Sequence, residues 1–227
     1  MSHGYYQLPH GRVASINGHC NFPPLNNALS EPNGLIALDG DLSVARLLEA
    51  YQQGIFPWFS EGEPIMWWSP DPRMVLFLDE FKIATSLAKS IKKTSLQVRF
   101  NTDFRQVITA CSQTIREGQS GTWITDEIIK AYCEMHEAGH AISAECWLGD
   151  KLVGGCYGVK IGTMFYGESM FHLVTNASKI AFVFLVQKLK AEGVEMMDCQ
   201  MKTAHLANFG AREISRKEFA ERLVSNL

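Results

Sequence analysis

No stretch of the 227-residue sequence approaches the roughly 18–20 consecutive apolar residues of a bilayer-spanning helix, so no membrane span is expected. The N-terminus, MSHGYYQLPHGRVASINGHC, lacks a basic region followed by an apolar run. It is therefore not a secretory signal, and we expect a loose lead-in. There is no C-x-x-C among the six cysteines, Cys20, Cys111, Cys133, Cys146, Cys156 and Cys199. Scattered thiols in a chain without an export signal point to reduced, mostly buried residues and a cytoplasmic protein. Charge is sparse, with 20% charged residues and a net −3, which excludes a general nucleic-acid coat but not a local basic patch. Internal repeats and low-complexity segments are also missing. What is present is ordinary globular composition, 46% hydrophobic, enough to bury a sizeable core.

Residues 22–34 are rich in turn formers, and Leu35–Leu38 reads as a short strand. Ser43 can cap a helix running to about Gln53, with Gly54 as its stop. A strand is expected around Ile65–Trp68, a helix over 80–93, a strand near Gln97–Phe100 and a helix over Thr102–Ser112. Thr125 caps a further helix that ends near Ala138, since Gly139 supplies a left-handed stop. Three strands in meander spacing follow, Ala141–Leu148, Lys151–Val159 and Thr163–Ser169. A long apolar helix over 177–192, a strand Val194–Cys199, a short helix near 204–208 and a last helix from Ser215 complete the order. Helix, meander, helix, strand, helix is an α+β layer and not a doubly wound sheet.

Two segments invite a functional reading beside a plain one. GIFPWFSEGEPIMWWSPDPR holds three of the five tryptophans and four prolines. Proline keeps such a stretch largely out of a ladder, and its aromatics are either core plugs or ligand walls. Between Lys82 and Arg105 there are six basic residues and one acid. On the expected helix Lys82, Lys89 and Lys93 share a stripe opposite Ile83, Leu87 and Ile91. That stripe is either a solvated face or a set of phosphate contacts.

His136-Glu137-Ala138-Gly139-His140 spells the zinc-protease motif H-E-x-x-H. Zinc binding needs both histidines one helical turn apart. Gly139, followed at once by an alternating strand, ends the helix too early, so no metal site is expected.

Several segments together resemble the leucyl/phenylalanyl-tRNA–protein transferase family. They are EPNGLIALDGDLS (31–43), GIFPWFSEGEPIMWWSPDPR (54–73), GTWIT (121–125), HEAGHAISAECW (136–147), LVGGCYGV (152–159), GESMF (167–171), NASK (176–179), and DCQ (198–200) followed by HLANFGARE (205–213). The resemblance implies an enzyme that takes Leu or Phe, and less well Met, from aminoacyl-tRNA. It would join that residue to the α-amino group of proteins beginning with Arg or Lys, marking them for N-end rule degradation. It also implies a small N-terminal α+β domain (1–75) packed on a GCN5-related acetyltransferase-like domain (76–227), no cofactor, and a monomer.

The same resemblance assigns Asp198 and Gln200 the catalytic role. Two apart on a strand, they should leave one face, with Cys199 on the other. Asp198 would then accept the Gln200 amide N–H and turn the amide oxygen toward the incoming amine. Glu168 of GESMF would hold the donor's ammonium. By match, Cys156, Phe182 and Leu185 line the side-chain pocket, although a helix stripe of this kind is equally core. Trp58 and Trp123 would meet the terminal adenosine, and Lys82, Lys89 and Lys93 the tRNA phosphates. An acyl-CoA transferase should carry a Q/R-x-x-G-x-G/A loop before the long helix. That junction instead reads FHLVTNASK.

Overall fold

A computed structural model describes residues 4–18, 21–114 and 122–226. Cys20 and Gly121 of the GTWIT segment lie outside the described residues. Among the described residues two sheets and seven α-helices form a mixed α+β architecture. The smaller sheet takes β1 (Gly4–Leu8), β2 (Gly11–Ser15), β3 (Leu35–Leu38), β4 (Phe56–Pro57) and β5 (Met66–Trp68) in the order β1-β2-β3-β5-β4. Helix α1 (Val44–Gln52) follows β3; Ser43 accepts the Arg46 N–H at its start and Gly54, at φ 75°, closes it.

The larger sheet begins with β6 (Arg73–Phe77), which straddles residue 75. Helix α2 (Thr85–Lys93), β7 (Gln97–Phe100), α3 (Phe104–Ser112) and α4 (Asp126–Glu137) follow. Then come the meander β8 (Ala141–Leu148), β9 (Lys151–Ile161) and β10 (Met164–His172), and α5 (Ala177–Ala191). The chain ends with β11 (Met196–Gln200), α6 (Ala204–Ala207), β12 (Arg212–Ile214) and α7 (Arg216–Asn226). The sheet order is β12-β6-β11-β10-β9-β8-β7. Only β10 and β11 run parallel within it, joined by the α5 crossover.

Three differences from the sequence reading have physical causes. The expected loose lead-in is a β1–β2 hairpin, because Val13 and Ala14 are buried and β2 pairs with β3. The helix expected over 80–93 starts only at Thr85. Residues 80–82 are drawn out instead: Glu80 pairs with Arg212, Phe81 stacks on Phe209, and the Lys82 N–H donates to the Phe209 carbonyl at 2.9 Å. Lys82 therefore leaves the helical stripe of Lys89 and Lys93, although all three side chains are exposed. Strand β6 was not anticipated. Its Arg73–Phe77 segment is buried between β11 and β12, where tertiary pairing overrides the proline-rich approach.

One core joins the sheets. Tyr51, Phe56 and Trp67 pack in the same cluster as Phe104, Tyr132 and Tyr166. A second core beneath α5 collects Met74, Phe165, Phe182, Leu185 and Cys199. Gly154 on β9 is required there: a Cβ would stand 2.5 Å from Ala177 Cβ, so only glycine lets the N-terminal turn of α5 seat on the sheet.

Candidate active site

Strands β10 and β11 pair only from Met164↔Met196 to Tyr166↔Asp198, yet both continue beyond. Past Tyr166 and Asp198 they are no longer hydrogen-bonded to each other, and a cavity of about 490 Å³ is lined by both. That is within the usual range for a small-molecule site. Each strand carries a register irregularity here. In β10 it falls between Gly167 and Ser169, so Glu168 has no ladder partner on β9. In β11 it falls between Asp198 and Gln200, and Gln200 adopts φ 61°. Such irregularities re-aim side chains.

Glu168, Gln200, Trp58, Trp123, Cys156, Phe182 and Leu185 all line this cavity, so the structure brings together seven residues the sequence singled out. Asp198 is not among its lining residues. Its carboxylate is fully buried and receives two guanidinium hydrogen bonds from Arg73, Nε at 2.8 Å and Nη2 at 2.7 Å. It also accepts the Gln200 backbone N–H at 2.8 Å. The expected Asp198–Gln200 side-chain bond is not formed. The left-handed turn at Gln200 breaks the alternation, so the two side chains do not share a face. Cys199, expected to turn away, lines the cavity.

Gln200 instead donates its amide N–H to Glu168 Oε1 at 3.1 Å. Its amide oxygen has no protein donor among the described residues. Tyr51 donates to Glu168 Oε1 at 2.7 Å, and the Tyr132 hydroxyl, hydrogen-bonded to that of Tyr51, lies 3.3 Å from Oε2. Tyr166 donates to the Tyr51 carbonyl at 2.8 Å, tying α1 to the larger sheet. Burial pushes the Glu168 carboxyl up to about 8, reinforced by the charge of Asp198 and opposed by the two tyrosines and Arg73. Burial and the same carboxylate raise Tyr51 and Tyr132 well above the ordinary phenol range. Burial likewise lifts the Cys156 and Cys199 thiols, which makes them apolar lining rather than nucleophiles.

Arg73, Tyr51 and Tyr132 were missed by sequence reasoning. Arg73 closes the WWSPDPR segment, and Tyr51 and Tyr132 are ordinary apolar positions of amphipathic helices. Nothing local marks them, because their partners are 125, 117 and 36 residues away. The three lysines, by contrast, do not line the cavity.

The H-E-x-x-H segment is built as its glycine implies. Helix α4 stops at Glu137 and Gly139 takes φ 84°. His136 stacks on Phe104 at 4.5 Å with its Nδ1 2.7 Å from the Ala141 carbonyl. His140 lies beyond the helix, so the two rings are not one helical turn apart.

Residues 75–224 match the leucyl/phenylalanyl-tRNA protein transferase family, and residues 40–71 match the N-terminal domain of the same family. The chain belongs to this family. It is an aminoacyltransferase. The protein of that name from Nitrosospira multiformis is 58% identical over 202 residues, 89% of this chain and 87% of its own. The one from Chromobacterium violaceum is 55% identical over 206 residues, covering 91% and 88%. Among solved structures FemX aligns with a TM-score of 0.50 and 11% identity over 93% of this chain and 81% of its own, a likeness of fold alone. No helix among the described residues is long and apolar enough to cross a membrane.

Proposed function

We propose that the protein transfers Leu or Phe, and less well Met, from aminoacyl-tRNA to the α-amino group of proteins that begin with Arg or Lys. In the cell this would mark them for N-end rule degradation in the cytoplasm. The fold reading behind it is a GCN5-related acetyltransferase-like domain with a small α+β domain packed on it. The antiparallel meander, the α5 crossover and the parallel β11 support that reading. The observation that carries the function is the composition of one cavity. Cys156, Phe182 and Leu185 give it an apolar wall, Glu168 and Gln200 a polar edge, and Trp58 and Trp123 aromatic faces.

In this reading the Leu or Phe side chain rests on Cys156, Phe182 and Leu185, and its ammonium meets Glu168. An ammonium beside Glu168 favours its ionised form, so the carboxyl releases its proton to solvent and the pair becomes carboxylate and cation. The adenosine stacks on Trp58 and Trp123, stacking being worth about 1–3 kcal/mol per base. The acceptor nitrogen adds to the ester carbonyl carbon, the ester C–O bond breaks, and the amine proton ends on the departing ribose hydroxyl. A strong base is unnecessary. With an α-amino pKa of about 7.7–8.0, roughly a tenth to a fifth of the amine is already neutral at pH 7. Supplying the free amine costs about 1–1.4 kcal/mol, while orientation can contribute about 7–11 kcal/mol. Gln200 supplies orientation through its open amide oxygen. Arg73 and Asp198 act behind it as positioning residues.

The test is incubation with labelled Leu-tRNA or acetyl-CoA and a peptide beginning with Arg. Transfer from the tRNA alone, lost when the peptide is N-acetylated, is expected. Transfer from acetyl-CoA would sink the reading.

A further inference from the structure

A second cavity, of about 420 Å³, lies between α2, α6 and the start of α5. It shares Lys179 and His205 with the first cavity, so the two are neighbours. Its lining holds no carboxylate. Ser86, Ser90, Asn176 and Asn208 contribute hydrogen-bonding groups, and Phe209 and Leu87 an apolar floor. Lys179 is exposed and forms no ion pair among the described residues. The Nε2 of His205 is buried without a hydrogen-bond partner. Burial, and then the neighbouring charges of Lys179 and His172, hold the His205 imidazole below its ordinary range and favour its neutral form. The Lys179 ammonium and the unpartnered His205 Nε2 therefore meet at the junction, with no carboxylate in the lining of the second cavity. On α2, Ser86, Ser90 and Lys93 follow at i, i+4 and i+7 with Lys89 beside them, so the cavity lies between the reaction site and the exposed lysines.

We propose that this second cavity binds a phosphodiester, at Lys179 and His205, and the nucleoside on its 5′ side: the step of a single-stranded RNA end that precedes the aminoacylated nucleoside. This rests on the aminoacyl-tRNA reading above. The chemistry fits an anion with a flat, polar-edged base behind it. It does not fit the acceptor, whose basic N-terminal residue would be repelled by Lys179.

Two minimal donors test it: phenylalanyl-adenosine, which has no phosphate, and phenylalanyl-cytidylyl-adenosine, which adds one phosphodiester and one nucleoside. A charge-assisted contact of this kind predicts a KM about tenfold lower for the second donor. Lys179→Ala should collapse that ratio toward one and reduce the salt slope of aminoacyl-tRNA binding by about one. Ser86→Trp, which fills the second cavity from α2, should abolish the nucleoside advantage while transfer from phenylalanyl-adenosine continues at the unmodified rate. Equal KM values for the two donors with the unmodified protein would overturn the subsite alone. So would a ratio that survives both substitutions. Failure of the unmodified protein to use either donor or Phe-tRNA would overturn the proposed activity itself, and the subsite with it.

Discussion

Arg73 and Asp198 form a buried bidentate ion pair beneath the cavity, 1% and 0% exposed, with the guanidinium between the rings of Phe56 and Phe219 at 4.8 and 4.6 Å. The pair joins β6 to β11 at the point where β11 turns into the site. Removing one member strands a charge among aromatic rings. Asp198→Ala or Arg73→Ala should therefore cost about 3–5 kcal/mol of folding stability, measurable by urea unfolding. A variant Asp198→Ala with unchanged stability would show that the pair does not hold the strand. Low activity in that variant is consequently no measure of catalysis by Asp198.

Gln200 offers the cleaner test. Its φ of 61° suits glycine, so Gln200→Gly keeps the backbone turn and its bond to Asp198 while deleting the amide. Turnover should fall by about 10²-fold, the scale of a lost polar group at the reacting centre, with the unfolding midpoint unchanged. Full turnover would remove Gln200 from the reaction.

Glu168 sets a pH dependence whose sign can be worked out. Its carboxyl ionises near 4.5 in the unfolded chain and near 8 in the folded, ligand-free protein. The folded state binds the extra proton between those values. Its contribution to stability is thus fully present below about 4.5 and declines as pH rises toward 8. Glu168→Gln should flatten that part of the stability profile. Tyr51→Phe removes a hydrogen bond that favours the carboxylate and should move the Glu168 titration higher still, as followed by NMR of the labelled carboxyl. A downward move would contradict the assignment.

Cys156 lines the cavity, and in the proposed reading the donor side chain ends against it. Cys156→Leu should narrow the apolar wall and lower kcat/KM for Phe-tRNA about 10–200-fold relative to Leu-tRNA, the usual worth of a methylene-scale change in such a pocket. An unchanged ratio in donor competition would place the side chain elsewhere.

Lys89 and Lys93 are exposed on α2, while Lys82 sits on the extended segment before it. If these lysines meet tRNA phosphates, each Lys→Glu change should weaken binding and reduce the slope of log K against log salt by about one. Unchanged filter binding in the triple variant would leave the three as a solvated face.

The sequence by itself determined the elements whose signals are local. Ser43, Thr125, Gly54 and Gly139 delimit helices through caps and left-handed stops, and the meander follows from alternation and turns. It also carried the family, because GESMF, DCQ and WWSPDPR occur together. The short N-terminal hairpin and β6 were hidden, since their burial depends on strands far away in the chain. Only the tertiary structure decided what Asp198 and Gln200 do. Strand alternation placed them on one face, but the left-handed turn at Gln200 sends its amide to Glu168. Asp198 stays below with Arg73, a partner 125 residues distant that no local pattern could nominate.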